Sequence, residues 1–347
     1  MKQYLLLLAL LFGSGLALLA QDPHFAQFAN TPHLTNPSLI GVYEGSVHAT
    51  LAYREQWGVL NQQPFRTAAA SIDLRRPVLR HDFVGFGVVA MHDDSGPSNF
   101  MQSRVYAGGA YLKKLGGKGY KSNAQYLVAG AQVGAGQNRV ATDGLLFSDQ
   151  IETGTPNVIR ETQEVFGDNM TPIFLDFNAG LMWYSVFDDN QSLYVGGAVH
   201  HLTTPDIALL ADETVNLDRR YTVQVGGEVP LNSNVSLLPS AIGWQQGQSR
   251  RILAGTHLRY NSRDWKEIAL RIGVWGSIAN ELESSILMDA TIVSVMLEME
   301  RLDIGMSYDL NTSPLTQVTN GRGAFELTVA YKQPANGRKL KVDCPRF

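Results

Sequence analysis

The sequence has 347 residues, 33 of them glycine and 17% charged, with a single cysteine and a net charge of −4. That charge excludes the basic field nucleic-acid binding requires, and one cysteine, Cys344, excludes an intramolecular disulfide framework. Few charges and many glycines suit a large twisted sheet better than a helical protein.

Residues 1–20 read as a secretory signal: Lys2 carries the leading charge, residues 5–19 form an apolar run, and Ala20 is a small residue before the expected cut at Gln21. The run is short for a spanning helix and no basic stop-transfer flank follows it. The chain is expected to be exported. Beyond residue 20 no uninterrupted apolar run reaches spanning length, so a membrane location demands a closed barrel.

Period-two alternation then recurs to the end of the chain. Val47, Ala49, Leu51 and Tyr53 oppose His48, Thr50, Ala52 and Arg54. Leu127, Ala129, Ala131 and Val133 oppose Gly130, Gln132 and Gly134, and Tyr221, Val223, Val225 and Val229 oppose Thr222, Gln224 and Glu228. The same holds for Ile268–Val274, for Leu302, Ile304, Met306 and Tyr308, and for Phe325, Leu327, Val329 and Tyr331. One face is apolar throughout; the other accepts charge. An all-β chain of about fourteen strands is expected, near residues 45–54, 65–74, 83–92, 100–112, 124–136, 173–187, 191–201, 219–230, 234–245, 250–260, 265–276, 285–297, 300–309 and 323–333. Of these, 285–297 alternates poorly.

If the first strand runs outward, the connections on the outer side are longer on the whole than those on the other side, as in outer-membrane barrels. The exceptions are the connection 113–123, whose basic, glycine-rich stretch 113–121 is expected as a flexible loop, and the short 246–249. Compact polar turns at Asn232, Ser233 and Asn234 and at Asp188, Asp189 and Asn190 fit hairpins. Tyr43, Tyr53, Trp57, Phe100, Tyr111, Tyr126, Trp183, Tyr184, Tyr221, Tyr260, Trp265 and Tyr331 lie near strand ends, where membrane-interface rings collect. The expected architecture is an antiparallel transmembrane β-barrel over residues 45–333. It is preceded by a periplasmic or lumenal segment at 21–44 and followed by a tail at 334–347.

No protease, nucleophile-elbow, redox-cysteine or calcium-loop motif is present. Adjacent His200 and His201 point to opposite faces of a strand unless a bulge intervenes, and the run His92, Asp93, Asp94 reads as structural. No cofactor, metal site or catalytic residue is expected. Charges of both signs fall on the polar face: Arg54, Asp73, Glu228, Arg259, Glu267, Arg271, Asp303, Asp309 and Glu326. Their mixture suggests cross-lumen pairs that brace or plug the barrel as much as a selective pore.

The stretch that best marks the chain is QDPHFAQF at 21–28, NPSLIG at 36–41 and YREQW at 53–57. In that order it resembles the PorP/SprF family of type IX secretion outer-membrane proteins. The resemblance continues through Ser71 and Asp73, Gly85–Gly87, Asp94 and Gly96, LLFSDQ at 145–150, His201, Leu202 and Pro205, GMSYD at 305–309 and the final Cys344, Pro345, Arg346 and Phe347. It implies a non-enzymatic barrel in contact with outer-membrane lipid. Its partners would be type IX secretion components, a cognate secreted surface protein of adhesin or gliding type, or both. A small-molecule porin is the alternative, and an outer-membrane enzyme a third.

Gln21, Asp22, Pro23, Phe25, Gln27, Phe28, Asn36 and Pro37 are the candidate partner-contact or barrel-closing residues. Tyr53, Arg54, Gln56, Trp57, Asp73 and Asp309 are the candidate rim or lumen residues. The marking stretch is expected to be two separate places, a periplasmic lead-in and an outer rim. The outward connection 137–172 is a further candidate contact, and Phe347 is either incidental or held by a segment at 340–342 packing back.

Overall fold

The computed structural model describes residues 21–58, 64–79, 81–96, 100–116, 124–141, 150, 169–188, 190–209, 214–262, 268–280, 286–314, 316–334 and 344–347. The expected signal at 1–20, most of the 142–168 connection, Trp265, Glu267 and the 340–342 segment lie outside the described residues.

Fourteen strands form one closed antiparallel barrel: β1 Val47–Gln56, β2 Phe65–Pro77, β3 Phe83–Ser95, β4 Phe100–Gly116, β5 Ala124–Val140, β6 Phe174–Asp188, β7 Gln191–His200, β8 Arg220–Pro230, β9 Val235–Gln246, β10 Ser249–Tyr260, β11 Ala269–Asn280, β12 Ile286–Glu298, β13 Leu302–Asn311 and β14 Arg322–Gln333. Each strand pairs with its sequence neighbours, and β1 closes on β14 with Val47 opposite Gln333 and Gln56 opposite Ala324. Closure satisfies every strand edge, which a sheet in hydrocarbon requires. No described helix is long and apolar enough to cross a membrane.

Alternation maps directly onto this wall. Leu51, Phe86, Val105, Val133, Val223, Ile272 and Leu327 point outward and are exposed, while Arg54, Asp73, Glu228, Arg271, Asp309 and Glu326 point inward and are buried. The weak alternation of 285–297 has a local cause. The pairing of β11 and β12 shifts between Ser277 and Ile278, so Ser277 faces Ala290, Ile278 faces Met288, and Asp289 is an extra residue. That bulge inverts the in–out phase of everything after it.

Three expectations are corrected. Lys113 to Gly116 belong to β4 rather than to a flexible loop, paired with β5 through Lys114 opposite Tyr126. Tyr43, Tyr126 and Tyr184 are not interface rings. They lie on the lumen side, fully or nearly buried, with Tyr126 stacked on Tyr184 at 5.1 Å. The charged wall residues do not pair across an open lumen. They pair along the wall, as Glu298 does with Arg259 (2.7 Å) and Arg271, or with the chain segment inside it.

Two apolar clusters sit within the barrel. One, near the end with the short connections, gathers Leu39, Ile40, Phe83, Leu112, Val128, Met182, Tyr184 and Tyr194. The other, nearer the opposite end, gathers Phe28, Ile242, Leu253, Trp275 and Ile292. The long connections follow β5 and β7, between Val140 and Phe174 and between His200 and Arg220, and so mark the outer end.

Candidate functional site

The lumen is occupied by residues 21–46, which run through it from the outer end to the periplasmic start of β1. At the periplasmic end the Arg75 guanidinium collects carbonyls: Gly41 at 3.1 Å, Gly45 at 2.7 Å, and Tyr43. The rings of Tyr43 and Phe83 lie 5.2 and 5.6 Å from it. Asp73, two residues up the strand on the same inward face, accepts the Gly41 amide at 2.8 Å and faces His33 at 3.3 Å and His48 at 3.2 Å. Gly41 has a φ of +80°, and a side chain there would come 2.8 Å from the Gly85 backbone. Backbone rests on backbone here, so both positions require glycine.

Above this, Asn36 organises a turn and anchors it to the wall. Its Oδ1 accepts the Ser38 amide at 2.9 Å and the Ser38 hydroxyl at 2.7 Å, the helix-start capping pattern with Pro37 following. Its Nδ2 donates to the carbonyls of Leu181 (3.4 Å) and Gly197 (3.3 Å). Wall glycines make room: a Cβ on Gly130 would lie 2.7 Å from Ser38 Cα, and one on Gly180 would lie 3.0 Å from Asn36 Cγ. Further carbonyls of the segment are met by Gln132 (His33 oxygen, 3.2 Å) and Arg220 (Leu34 oxygen, 2.8 Å). Phe28 packs edge-on against Trp275 with ring centres 5.7 Å apart.

The outer half is held by charge. Glu326 accepts the amides of Ala26 (2.6 Å) and Gln27 (2.9 Å) and also the Arg54 guanidinium. Arg54 reaches Asp309 at 2.8 Å, and Gln56 at 3.3 Å. The lead-in and the outer part of β1 therefore meet on one carboxylate. This overturns the expectation of a lead-in beneath the barrel and a separate rim, because the segment doubles back up the lumen before β1 begins. At its start, Asp22 faces Arg104, Arg220 at 2.9 Å and His201 Nε2 at 2.6 Å. His201 Nδ1 lies 2.6 Å from Asp176, which also accepts the Tyr106 hydroxyl at 2.8 Å.

Burial pushes the Asp22 carboxyl up, but Arg104, His201 and Arg220 outweigh it and hold the group well below its ordinary value. Burial lowers His201, and the Asp22 charge with the Asp176 hydrogen bond raises it above the ordinary imidazole value. Burial drives His24 far below that value, with Arg251, 2.5 Å away, acting in the same sense.

His200 and His201 both point into the lumen, each 2% exposed. His201 has a φ of +58°, which reverses its direction relative to a regular strand. Of the other candidates, Phe25 is buried, Gln21 is exposed, and Pro23 borders a void of about 20 Å³ beside Asp22 and His201. Gln27 donates to the Ser307 hydroxyl at 3.3 Å. Tyr53 faces outward and donates to Glu55 at 2.9 Å, and Trp57 packs edge-on against Phe65 at 5.3 Å. Among the described residues no group of three or more His, Cys, Asp or Glu side chains is placed to hold a metal ion. Arg75, Arg104, His201 and Arg220 were not among the candidate site residues; three are inward charges on alternating strands, which is the signal they carried.

The fold and its filled lumen define a plugged membrane β-barrel of the outer-membrane type. The family model described as type IX secretion system membrane protein PorP/SprF matches residues 17–331, and the chain belongs to that family. No curated protein matches. Among solved structures, the chain is similar to a TodX monoaromatic hydrocarbon channel deltaS2 mutant, with 11% identity, 87% of this chain and 93% of that one covered, and a TM-score of 0.49. It is similar to a Pseudomonas aeruginosa FadL homologue at 14% identity, 92% and 96% covered, TM-score 0.46. It is also similar to BamA from Haemophilus ducreyi lacking POTRA domains 1–3, at 9% identity, 83% and 70% covered, TM-score 0.41.

Proposed function

We propose that this chain is a stoppered outer-membrane partner of type IX secretion, which supports the export or surface anchoring of particular adhesin- or gliding-type proteins. It works without catalysis, through contacts with secretion components, with a cognate secreted protein, or with both. The apolar outward face, from Leu51 and Phe86 to Val223 and Leu327, is suited to outer-membrane lipid.

The observation that carries this reading is the occupied lumen. Residues 21–46 are fastened to the wall at Arg75, Asp73, Asn36, Glu326 and Asp22. Voids left beside them, about 20 Å³ next to Phe28 and about 10 Å³ next to His24, hold on the order of a water each. A polypeptide or solute conduit would have to unseat that whole column. Partner contact at the barrel's rims fits the fold better than passage through it.

The test is a strain lacking this chain. Its cognate surface protein is expected to accumulate inside the cell envelope or to be shed into the medium, while bulk type IX secretion continues. Unaltered display of every type IX surface protein would end this reading.

A further inference from the structure

Cys344, Pro345, Arg346 and Phe347 enter the lumen at the periplasmic end without joining the sheet. Arg346 donates to Asn190 in the β6–β7 turn at 3.0 Å and to Glu228 at 2.9 Å. Glu228 is 2% exposed, and its second oxygen accepts the Ser236 hydroxyl at 2.6 Å. Phe347 reaches deeper. Its ring meets Tyr194 edge-on at 4.8 Å, and its main-chain oxygen accepts from Arg271 at 2.6 Å. Cys344 donates its thiol to the Tyr43 carbonyl at 3.3 Å and receives Arg75 at 3.4 Å.

The receiving groups are held in place by contacts of their own. Arg271 is paired with Glu298, Glu228 is bonded to Ser236, and Tyr194 belongs to the apolar cluster around Leu39 and Tyr184. The site is thus built by the wall, while the four residues that fill it bring side chains rather than a strand. A buried carboxylate selects the arginine, and an aromatic wall one step deeper selects a ring. Consecutive residues, Arg346 and Phe347, fill the two places.

We propose that the periplasmic mouth is a peptide-binding site for an Arg–aromatic sequence. Residues 344–347 are its resident ligand in cis, and a segment of the same chemistry on a periplasmic protein is the ligand that exchanges with them. The site stands apart from the secretion reading, since peptide binding and surface display are measured separately.

The experiment uses the purified chain in detergent and a fluorescent peptide, Lys-Val-Asp-Cys-Pro-Arg-Phe, followed by anisotropy. A chain lacking residues 344–347, folded by heat-modifiable gel migration, is expected to bind it saturably and at least ~10-fold more tightly than the intact chain. Adding Glu228→Gln to the deleted chain is expected to weaken binding roughly 10-fold, the scale of a lost charged hydrogen bond. Peptides with Tyr or Trp in place of Phe should bind within a few-fold, and those with Ala, or with Glu for Arg, should not. No saturable binding to the folded deleted chain, or equal binding to both chains, overturns the proposal. If the deleted chain does not fold, the full-length double variant Arg346→Glu, Phe347→Ala takes its place, and its failure to bind the same peptide is equally decisive.

Discussion

His201 Nε2 stands 2.6 Å from the Asp22 carboxylate, across 179 positions of sequence. The contact joins the start of the lumenal segment to the outer end of β7. It exists because the backbone at His201 turns through a left-handed conformation, so that this ring faces inward beside His200 instead of outward into lipid. Asp22 is shared with Arg104 and Arg220, so one carboxylate offsets a concentrated positive site. Without it those cations would face one another in a buried place, which is costly.

Removing that carboxylate should loosen the outer half of the segment first. In planar bilayers the intact chain is expected to be electrically silent. Asp22→Ala, which weakens the seat by about 3–5 kcal/mol on the scale of a broken buried pair, is expected to give intermittent conductance steps. Removal of residues 21–30 should make the steps stable. Silence of that truncated barrel, correctly folded, would contradict the assignment of those residues as the outer seal.

The same contacts make seating of the segment depend on pH. Asp22 is depressed when seated, so its contribution is present above the ordinary carboxylate value of 3.8 and is lost as pH falls through the lower seated value. His201 is raised when seated, so its contribution is complete below the ordinary imidazole value of 6.5 and is lost as pH rises through the higher seated value. Arg104 and Arg220 stay charged throughout, and Asp176 and Tyr106 complete the surroundings. Buried His24, held far below 6.5 when seated, opposes seating as pH falls below that value, so protection of residues 21–30 from hydrogen exchange is expected to peak near 6.5 and to decline on the alkaline side as His201 loses its proton. His201→Asn should flatten the alkaline decline, and a decline that persists in that variant would assign it to another group.

The barrel was legible because hydrocarbon on the outside imposes a two-residue period along the strands, interrupted at bulges such as the one at Asp289; Leu51, Val133, Val223 and Leu327 obey it. The plug was not, because inward Arg54, Asp309 and Glu326 read alike whether they line water or hold a peptide. A clue did exist. Near the periplasmic end of β4 to β6 both faces are apolar, as in Tyr111 with Leu112, Leu127 with Val128, and Leu181 with Met182. Only a second apolar object inside the barrel explains that. Leu39 and Ile40 supply it. The meeting of Ala26 with Glu326 joins residues 300 apart and leaves no local pattern to read.

Gly130 tests the fit between wall and segment without touching a charge. A side chain there would enter the space of Pro37 and Ser38, and overpacking of this kind costs about 1–3 kcal/mol. Gly130→Val is expected to leave the barrel assembled, since its β5 ladder partners on β4 and β6, Ala110 and Gly180, are small. It should expose residues 31–43 to protease. Gly116, with nothing near its missing side chain, is the matched control. Equal protection in both variants would show that the segment is not seated against that wall.

Arg75 is the sharpest single test of how the segment is fixed at its periplasmic exit. Its guanidinium binds three carbonyls of the turn into β1, at Gly41, Tyr43 and Gly45, and also reaches the Cys344 sulfur. The side chain is 2% exposed, so water does not replace those bonds easily. Arg75→Ala leaves buried carbonyls unmet and opens a cavity between Tyr43 and Phe83. The expected loss is about 3–5 kcal/mol, read as a lower temperature for the heat-modifiable gel shift. Arg75→Lys keeps the charge but not the fork that reaches several oxygens at once, so it should recover less than half of the loss. Because Arg75 also holds Cys344, both variants should raise the reactivity of that thiol toward a maleimide, whose attack burial otherwise resists by raising the thiol to about 11. A full rescue by lysine with the thiol still protected would mean that charge alone, and not the shape of the guanidinium, fixes the exit.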